Sequence, residues 1–347
     1  MEKNRNSAID ILRIACIVLI TIIHFFSYSN VLDLSLSTGY RLILSILFSL
    51  SRCAVNIFFM ISGYYLVEKA FSIKRILKVY CQVLFATVFT FVINLFVHFE
   101  SISIGRILKS IAPVATFHYW FISIYIIVII VSPVINLIID RGKPSDLKKY
   151  ALISGAVLTC YITLNPFIIT ESLIGGDHSL VWAIFCYFIG GCIKKCDFKI
   201  KNETLIGVFL LALLSLSAIK FFGLDRRLAT YSFDFSSNSS LLPFIMSLTL
   251  FCLVRNAKSG NIRRPIAVKA ISILSGSSLF VYLIQENEFL RGFVWNGFSE
   301  VVSNPLITAY RLCGVLLALF GAALFYYIIY NFIKKLFALL KGFKHNE

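Results

Sequence analysis

Apolar residues run in long blocks separated by short polar, mostly basic, stretches. Ten blocks approach the roughly 20 residues that cross a bilayer as a helix. They are 9–28, 42–66, 76–97, 119–139, 150–169, 180–193, 204–222, 241–254, 271–290 and 306–333. The sixth and eighth are short and are expected to extend into their flanks or be covered by neighbours. The expected fold is all-α and polytopic, with about ten transmembrane helices forming a single membrane domain over residues 1–347. The longest outer connections, 99–118 and 223–240, are about 20 residues each, too short for a separate soluble domain. Such lengths point to a functional, re-entrant or interfacial piece. The polar stretch from Phe235 to Ser240 is expected to be flexible. No internal repeat or broken-helix pattern of the kind found in two-halved transporters is visible. The first block is not a signal peptide: it is long, it contains Arg13 and His24, and no small-x-small site follows it.

Composition fits this pattern. The chain is 59% hydrophobic and 14% charged, against about 25% charged for soluble domains. Its net charge of +16 would suit nucleic acid, but the placement of the charges argues otherwise. With the N-terminus in the cytoplasm, 23 of the 33 Lys and Arg fall in cytoplasmic segments and eight outside, leaving Arg13 and Arg52 within blocks. This positive-inside bias makes both termini cytoplasmic and the excess charge topogenic. Nine Cys are scattered, mostly in apolar runs such as those of Cys16, Cys160, Cys186 and Cys252. There is no CxxC pair, and Cys192 and Cys196 have no His cluster beside them, so no metal site is expected.

Ionisable residues inside apolar blocks are the functional candidates, because each is costly in hydrocarbon unless it faces a bundle interior or a water-filled cavity. The first block holds Asp10, Arg13 and His24. Arg13 and His24 are eleven residues apart, about 1,100° of helix rotation, so they share a face some 16 Å apart along the axis. Asp10 and Arg13 form an i,i+3 pair on that face. The plainer account is an ion pair at the helix start and a packed His. In the second block Arg52 and Asn56 lie four apart, suited to holding a carbonyl or anionic oxygen or to an inter-helix ion pair. Arg75 and Lys78 open the third block, where a helix start can hold phosphate, although topology alone also explains cations there. His118 and Trp120 stand at the outer start of the fourth block as substrate-side candidates; an aromatic belt and a solvated His are the alternative. Glu286, in the ninth block, is read as matching His24 in depth, where it could stabilise the protonated imidazole. A salt bridge to Arg291 or Arg52 is its alternative.

Several of these pieces together resemble the acyltransferase-3 family of integral-membrane acyltransferases, and within it the polysaccharide O-acetyltransferases. Asp10-Ile-Leu-Arg13 followed by His24 is similar to the family's first-span signature. The run from Arg52 to Tyr64 resembles its FF-x-x-SG block, and Arg75-Ile-Leu-Lys78 its cytoplasmic Arg-x-x-Arg. His118-Tyr-Trp120-Phe121, Tyr187-Phe-Ile-Gly190-Gly191 and Tyr282-Leu-Ile-Gln285 resemble its WF, sixth-span glycine and YLIH motifs. Two positions depart from the pattern. Lys78 keeps the charge of Arg but not its fork, and Gln285 replaces a titratable His.

The resemblance implies an O-acyltransferase of the bacterial cytoplasmic membrane with acetyl-CoA as the cytoplasmic donor. Arg75 and Lys78 would hold its phosphates, and the pantetheine arm would pass Arg13. His24 would be general base on a hydroxyl of a cell-surface polysaccharide or its lipid-linked precursor, with Arg52 or Asn56 at the oxyanion. No SGNH-type hydrolase domain is attached, so the membrane domain or a separate partner would complete transfer. Membrane lipid and glycan are the expected partners, and nucleic acid is not. A glycan transporter or flippase is the competing reading; a scaffold of a glycan-synthesis complex is a weaker third.

Overall fold

The computed structural model describes residues 7–29, 31, 35–98, 100–164, 178–196, 198, 200–224, 235–257, 265–296 and 302–343. Among them regular structure is helical, with no strand. The Ile, Val and Phe that fill these segments favour strands in water. In hydrocarbon a lone strand leaves its backbone groups unsatisfied, whereas a helix bonds them within one segment. Among the described residues seven segments are long and apolar enough to cross a bilayer. These are α1 (Ser7–Ser29), α2 (Thr38–Ser51) with α3 (Ala54–Leu66), α4 (Ile73–Val97), α6 (Trp120–Arg141), α9 (Asn202–Phe221), α11 (Pro265–Gln285) and α13 (Pro305–Phe343). The apolar helices α8 (Leu180–Cys196) and α10 (Leu241–Asn256) are shorter, and α7 (Pro144–Leu164) keeps Lys148 and Lys149 near its start. All ten expected blocks therefore carry helix, in an all-α polytopic membrane fold. The end of the fifth block, 165–169, and loop residues 225–234 lie outside the described residues.

The chain divides into two compact units. The first comprises Met1–Ser72 and Trp120–Asn261. Its closest packing joins α3 to α8. A Cβ on Gly63 would stand 1.9 Å from the Tyr187 carbonyl oxygen, and one on Gly190 would stand 2.0 Å from that of Met60. Small residues let membrane helices approach where no hydrophobic drive joins them. Polar links add to the contact: Asn136 of α6 donates to the Leu66 carbonyl at 3.0 Å, and the Tyr187 hydroxyl donates to Asn136 at 3.0 Å. Pro133 inside α6 removes the N–H that would bond the Ile129 carbonyl; the Ser132 hydroxyl bonds it instead at 2.8 Å.

The structure corrects two expectations here. The second span is broken, with α2 ending at Ser51 and α3 starting at Ala54. Arg52 and Cys53 keep right-handed helical angles, so no Gly or Pro announces the break. Arg52 N bonds the Ser49 carbonyl at 3.3 Å, and the Cys53 carbonyl accepts from the Ser247 hydroxyl of α10 at 3.1 Å as well as from Ile57 N at 3.4 Å. A side chain bonding into the helical ladder produces such kinks. The stretch before α10 is ordered and buried, with Ser237, Asn238, Ser239 and Ser240 between 0 and 4% exposed. Hydrogen bonds hold it: Ser237 and Ser239 hydroxyls meet at 2.9 Å, Ser240 N bonds the Ser237 carbonyl at 3.0 Å, and Leu241 N bonds the Thr163 hydroxyl at 3.1 Å.

The second unit comprises Ile73–Tyr119 and Ile262–Glu347. Between α4 and Trp120 lies α5 (Ile104–Ile111), started by the Ser103 hydroxyl, which accepts from Arg106 N at 3.3 Å. Ile104, Leu108 and Ile111 are exposed on it, as an interfacial helix requires. Phe85, Phe89, Phe280 and Tyr326 pack α4, α11 and α13 together, and the Thr90 and Tyr326 hydroxyls meet at 2.9 Å. The ninth span runs from Pro265 to Gln285, starting six and ending five residues earlier than its hydropathy predicted. Apolar Phe289 and Leu290 extend the hydropathy, but Asn287 ends the helix. Its side-chain oxygen accepts from Phe289 N at 3.0 Å, an Asx turn that leads into α12 (Arg291–Trp295). Glu286 therefore follows the span rather than lying within it.

Candidate functional site

The uninterrupted α1 carries Asp10, Arg13 and His24. Asp10 is buried and accepts from the Arg13 guanidinium at 3.4 Å. Arg13 keeps about a third of its side chain exposed (34%) and lies 5.6 Å from the centre of the Tyr65 ring at the end of α3. The carboxylate and the aromatic face hold the cation at one end of the helix. His24 is half-buried toward the other end, its ring 6.2 Å from that of Tyr28 one turn on.

The break between α2 and α3 sets Arg52 and Asn56 against the serine-rich loop. Arg52 Nε donates to the Ser236 carbonyl, and its guanidinium lies 5.6 Å from the Phe48 ring centre. Asn56 is fully buried, and its Nδ2 donates to the Asn238 carbonyl at 2.7 Å and to the Ser247 hydroxyl at 3.1 Å. Its Oδ1 accepts from Trp182 Nε1 of α8 at 2.8 Å. Both amide hydrogens are thus engaged, and Asn56 ties α3 to α8, α10 and the loop. Trp182, Asn238 and Ser247 were not singled out in the sequence. The available signal was a polar atom within an apolar run for Trp182 and Ser247, and the polar stretch itself for Asn238. Trp120 of α6 stacks near His178, ring centres 4.3 Å apart, another neighbour the sequence did not reveal.

In the second unit, Arg75 and Lys78 occupy the first two turns of α4, three residues apart on one face. Neither makes a hydrogen bond or ion pair among the described residues. His118 lies against Tyr119, ring centres 4.2 Å apart. Burial pushes the His118 imidazole down to about 4; Glu288 opposes this, while Lys109 and Arg291 add to it. Glu288 is itself ion-paired with Lys109 of α5. The Tyr119 hydroxyl donates to the Leu283 carbonyl at 3.0 Å and accepts from Asn287 Nδ2 at 3.0 Å. Gln285, the last residue of α11, is fully buried, and among the described residues neither its amide nitrogen nor its amide oxygen has a hydrogen-bond partner. Such a group costs about 1–3 kcal/mol. Glu286 follows it and is half-buried. Among the described residues no three His, Cys, Asp or Glu side chains come together as a metal site.

A family model for the acyltransferase domain matches residues 6–327, nearly the whole chain. The chain belongs to the acyltransferase-3 family. No curated protein and no solved structure gives a significant match. As an acyltransferase-3 protein it is a multi-pass membrane acyltransferase, and its motifs divide between packing and candidate chemistry. Gly63 of Ser62-Gly63 and Gly190 of Gly190-Gly191 are packing residues, because they allow α3 and α8 to touch. Gly191 serves likewise, since a Cβ there would meet the Ile139 side chain of α6 at 2.5 Å.

Proposed function

We propose that this acyltransferase-3 protein moves acetyl from cytoplasmic acetyl-CoA to a hydroxyl of an extracytoplasmic cell-surface polysaccharide or its lipid-linked precursor, in a bacterial cytoplasmic membrane. The observation that carries the reading is the unbroken α1, with the Asp10–Arg13 pair at one end and a half-buried imidazole about 16 Å along the same face. His24 takes the proton of the acceptor hydroxyl as its oxygen attacks the thioester carbonyl. The tetrahedral oxyanion then collapses, the C–S bond breaks, and the imidazolium returns its proton to the leaving CoA sulfur. Arg75 and Lys78 take the phosphates of the donor, for which their lack of protein anions and their place at a helix start suit them. Of the two oxyanion candidates Arg52 keeps that role, while Asn56, with both amide hydrogens used, is a positioning residue. Trp120 and His118 serve the acceptor side.

The test is the O-acetyl content of surface glycan in a deletion strain carrying wild type or His24→Ala. Acetyl restored by wild type alone supports the reading. Full restoration by His24→Ala removes His24 as base. Loss of the glycan itself, with normal acetylation of what remains, turns the reading toward transport.

A further inference from the structure

Gln285 breaks the rule that buried polar groups find partners with both its amide nitrogen and its amide oxygen, while the turn that carries it is hydrogen-bonded. Its own backbone carbonyl accepts from Trp295 Nε1 at 3.2 Å. Asn287 bonds the Tyr119 hydroxyl and Phe289 N, and the Tyr119 hydroxyl bonds the Leu283 carbonyl. Hydrogen bonds therefore fix the turn that carries the amide. Places where a sequence violates local consistency without compensation are expected to be functional. An apolar side chain of the same shape would have removed the violation at no cost to packing.

We propose that the Gln285 amide is a specificity group for the acceptor, donating through Nε2 and accepting through Oε1 to a pair of neutral hydroxyls on its sugar ring. Three observations select that chemistry. The amide is uncharged, and a sealed low-dielectric position disfavours a charged ligand with no counter-charge. It offers one donor group and one acceptor group side by side, which adjacent hydroxyls complement and a lone carbonyl or phosphate does not. It closes α11, which starts after the basic segment holding Arg255 and Lys258, so by the positive-inside bias Gln285 lies at the extracytoplasmic end where an acceptor arrives. The amide is shut off from solvent, so the acceptor reaches it by displacing protein packing, through rotation of this three-torsion side chain. The proposal rests on the acceptor being an extracytoplasmic glycan.

The experiment compares wild type, Gln285→Met and Gln285→Leu in the deletion strain for base-labile O-acetyl on surface glycan, and as purified protein for Tm with and without CoA. The expected result is O-acetyl lowered about tenfold or more, as for loss of two neutral hydrogen bonds, with Tm equal to or above wild type and the CoA-induced rise in Tm retained. Wild-type acetylation in Gln285→Met overturns the proposal, because the orphan amide is then dispensable. A fall in acetylation with lowered Tm and a lost CoA response in both variants also overturns it, in favour of a structural role. If wild type itself confers no O-acetyl, the underlying assignment of function fails, a result distinct from both.

Discussion

Arg75 and Lys78 sit where the dipole of α4 disfavours cations and where, among the described residues, no ion pair compensates them. If they hold donor phosphates, replacing either by Ala raises KM for acetyl-CoA by about three- to tenfold, the range for a partly exposed charge-assisted contact. The effect is measured by label transfer in membrane vesicles; kcat stays near wild type, and added salt erodes the difference. Lys78→Arg, which restores the fork, lowers KM or leaves it unchanged. An unchanged KM in both Ala variants would leave these cations to topology alone. His118 makes a second prediction. Its imidazole is held down to about 4 in the folded protein, against 6.5 when unfolded. Between those values the unfolded chain binds more protons, so stability falls as pH drops through that window. His118→Asn should flatten the Tm-against-pH curve below pH 6.5, and an unchanged slope would show the group to be solvated. The candidate residues of α1 and α4 were legible because they stand within or at the edge of an apolar run. Trp182, Ser247 and Asn238 were not, because their importance comes only from the atoms of Asn56 they meet.

Among the helices, the glycine contact of α3 with α8 makes the sharpest claim. Gly63→Ala or Gly190→Ala drives a methyl into a backbone carbonyl that no rotamer change can move. Each should cost about 1–3 kcal/mol or more and lower the yield of folded protein. Gly207→Ala in α9, with nothing within 4 Å, should be neutral or raise stability by about 0.5–1 kcal/mol. Fluorescence-detected size exclusion of heated samples would separate them. Equal Tm for all three variants would mean that the close approach is not maintained. Helix existence was readable from apolar runs, but helix ends and breaks were not. At the break by Arg52 and Cys53 a carbonyl is engaged by a hydroxyl 194 residues away, and at the end of α11 an asparagine side chain bonds the backbone two residues on.

At the scale of the whole molecule, the distribution of Lys and Arg fixes sidedness more firmly than any one helix does. A reporter inserted at Lys143, between α6 and α7, should be active only in its cytoplasm-dependent form. One inserted at Ser101, between α4 and α5, should be active only in its export-dependent form. The reverse pattern would invert the proposed donor and acceptor sides.

The broken span also has a consequence for biogenesis. Arg52 and Asn56 enter the membrane early, yet their bonding partners are made late: Trp182 follows Asn56 by 126 residues, Asn238 by 182 and Ser247 by 191. Until those segments leave the ribosome, α3 carries a polar face and a glycine notch with nothing to fill them. A nascent chain in this state needs a protein neighbour, such as the insertion machinery, to shield it. Chains stalled before α8 should therefore be recognised as unfinished and cleared, while chains that reach Asn256 can close the first unit.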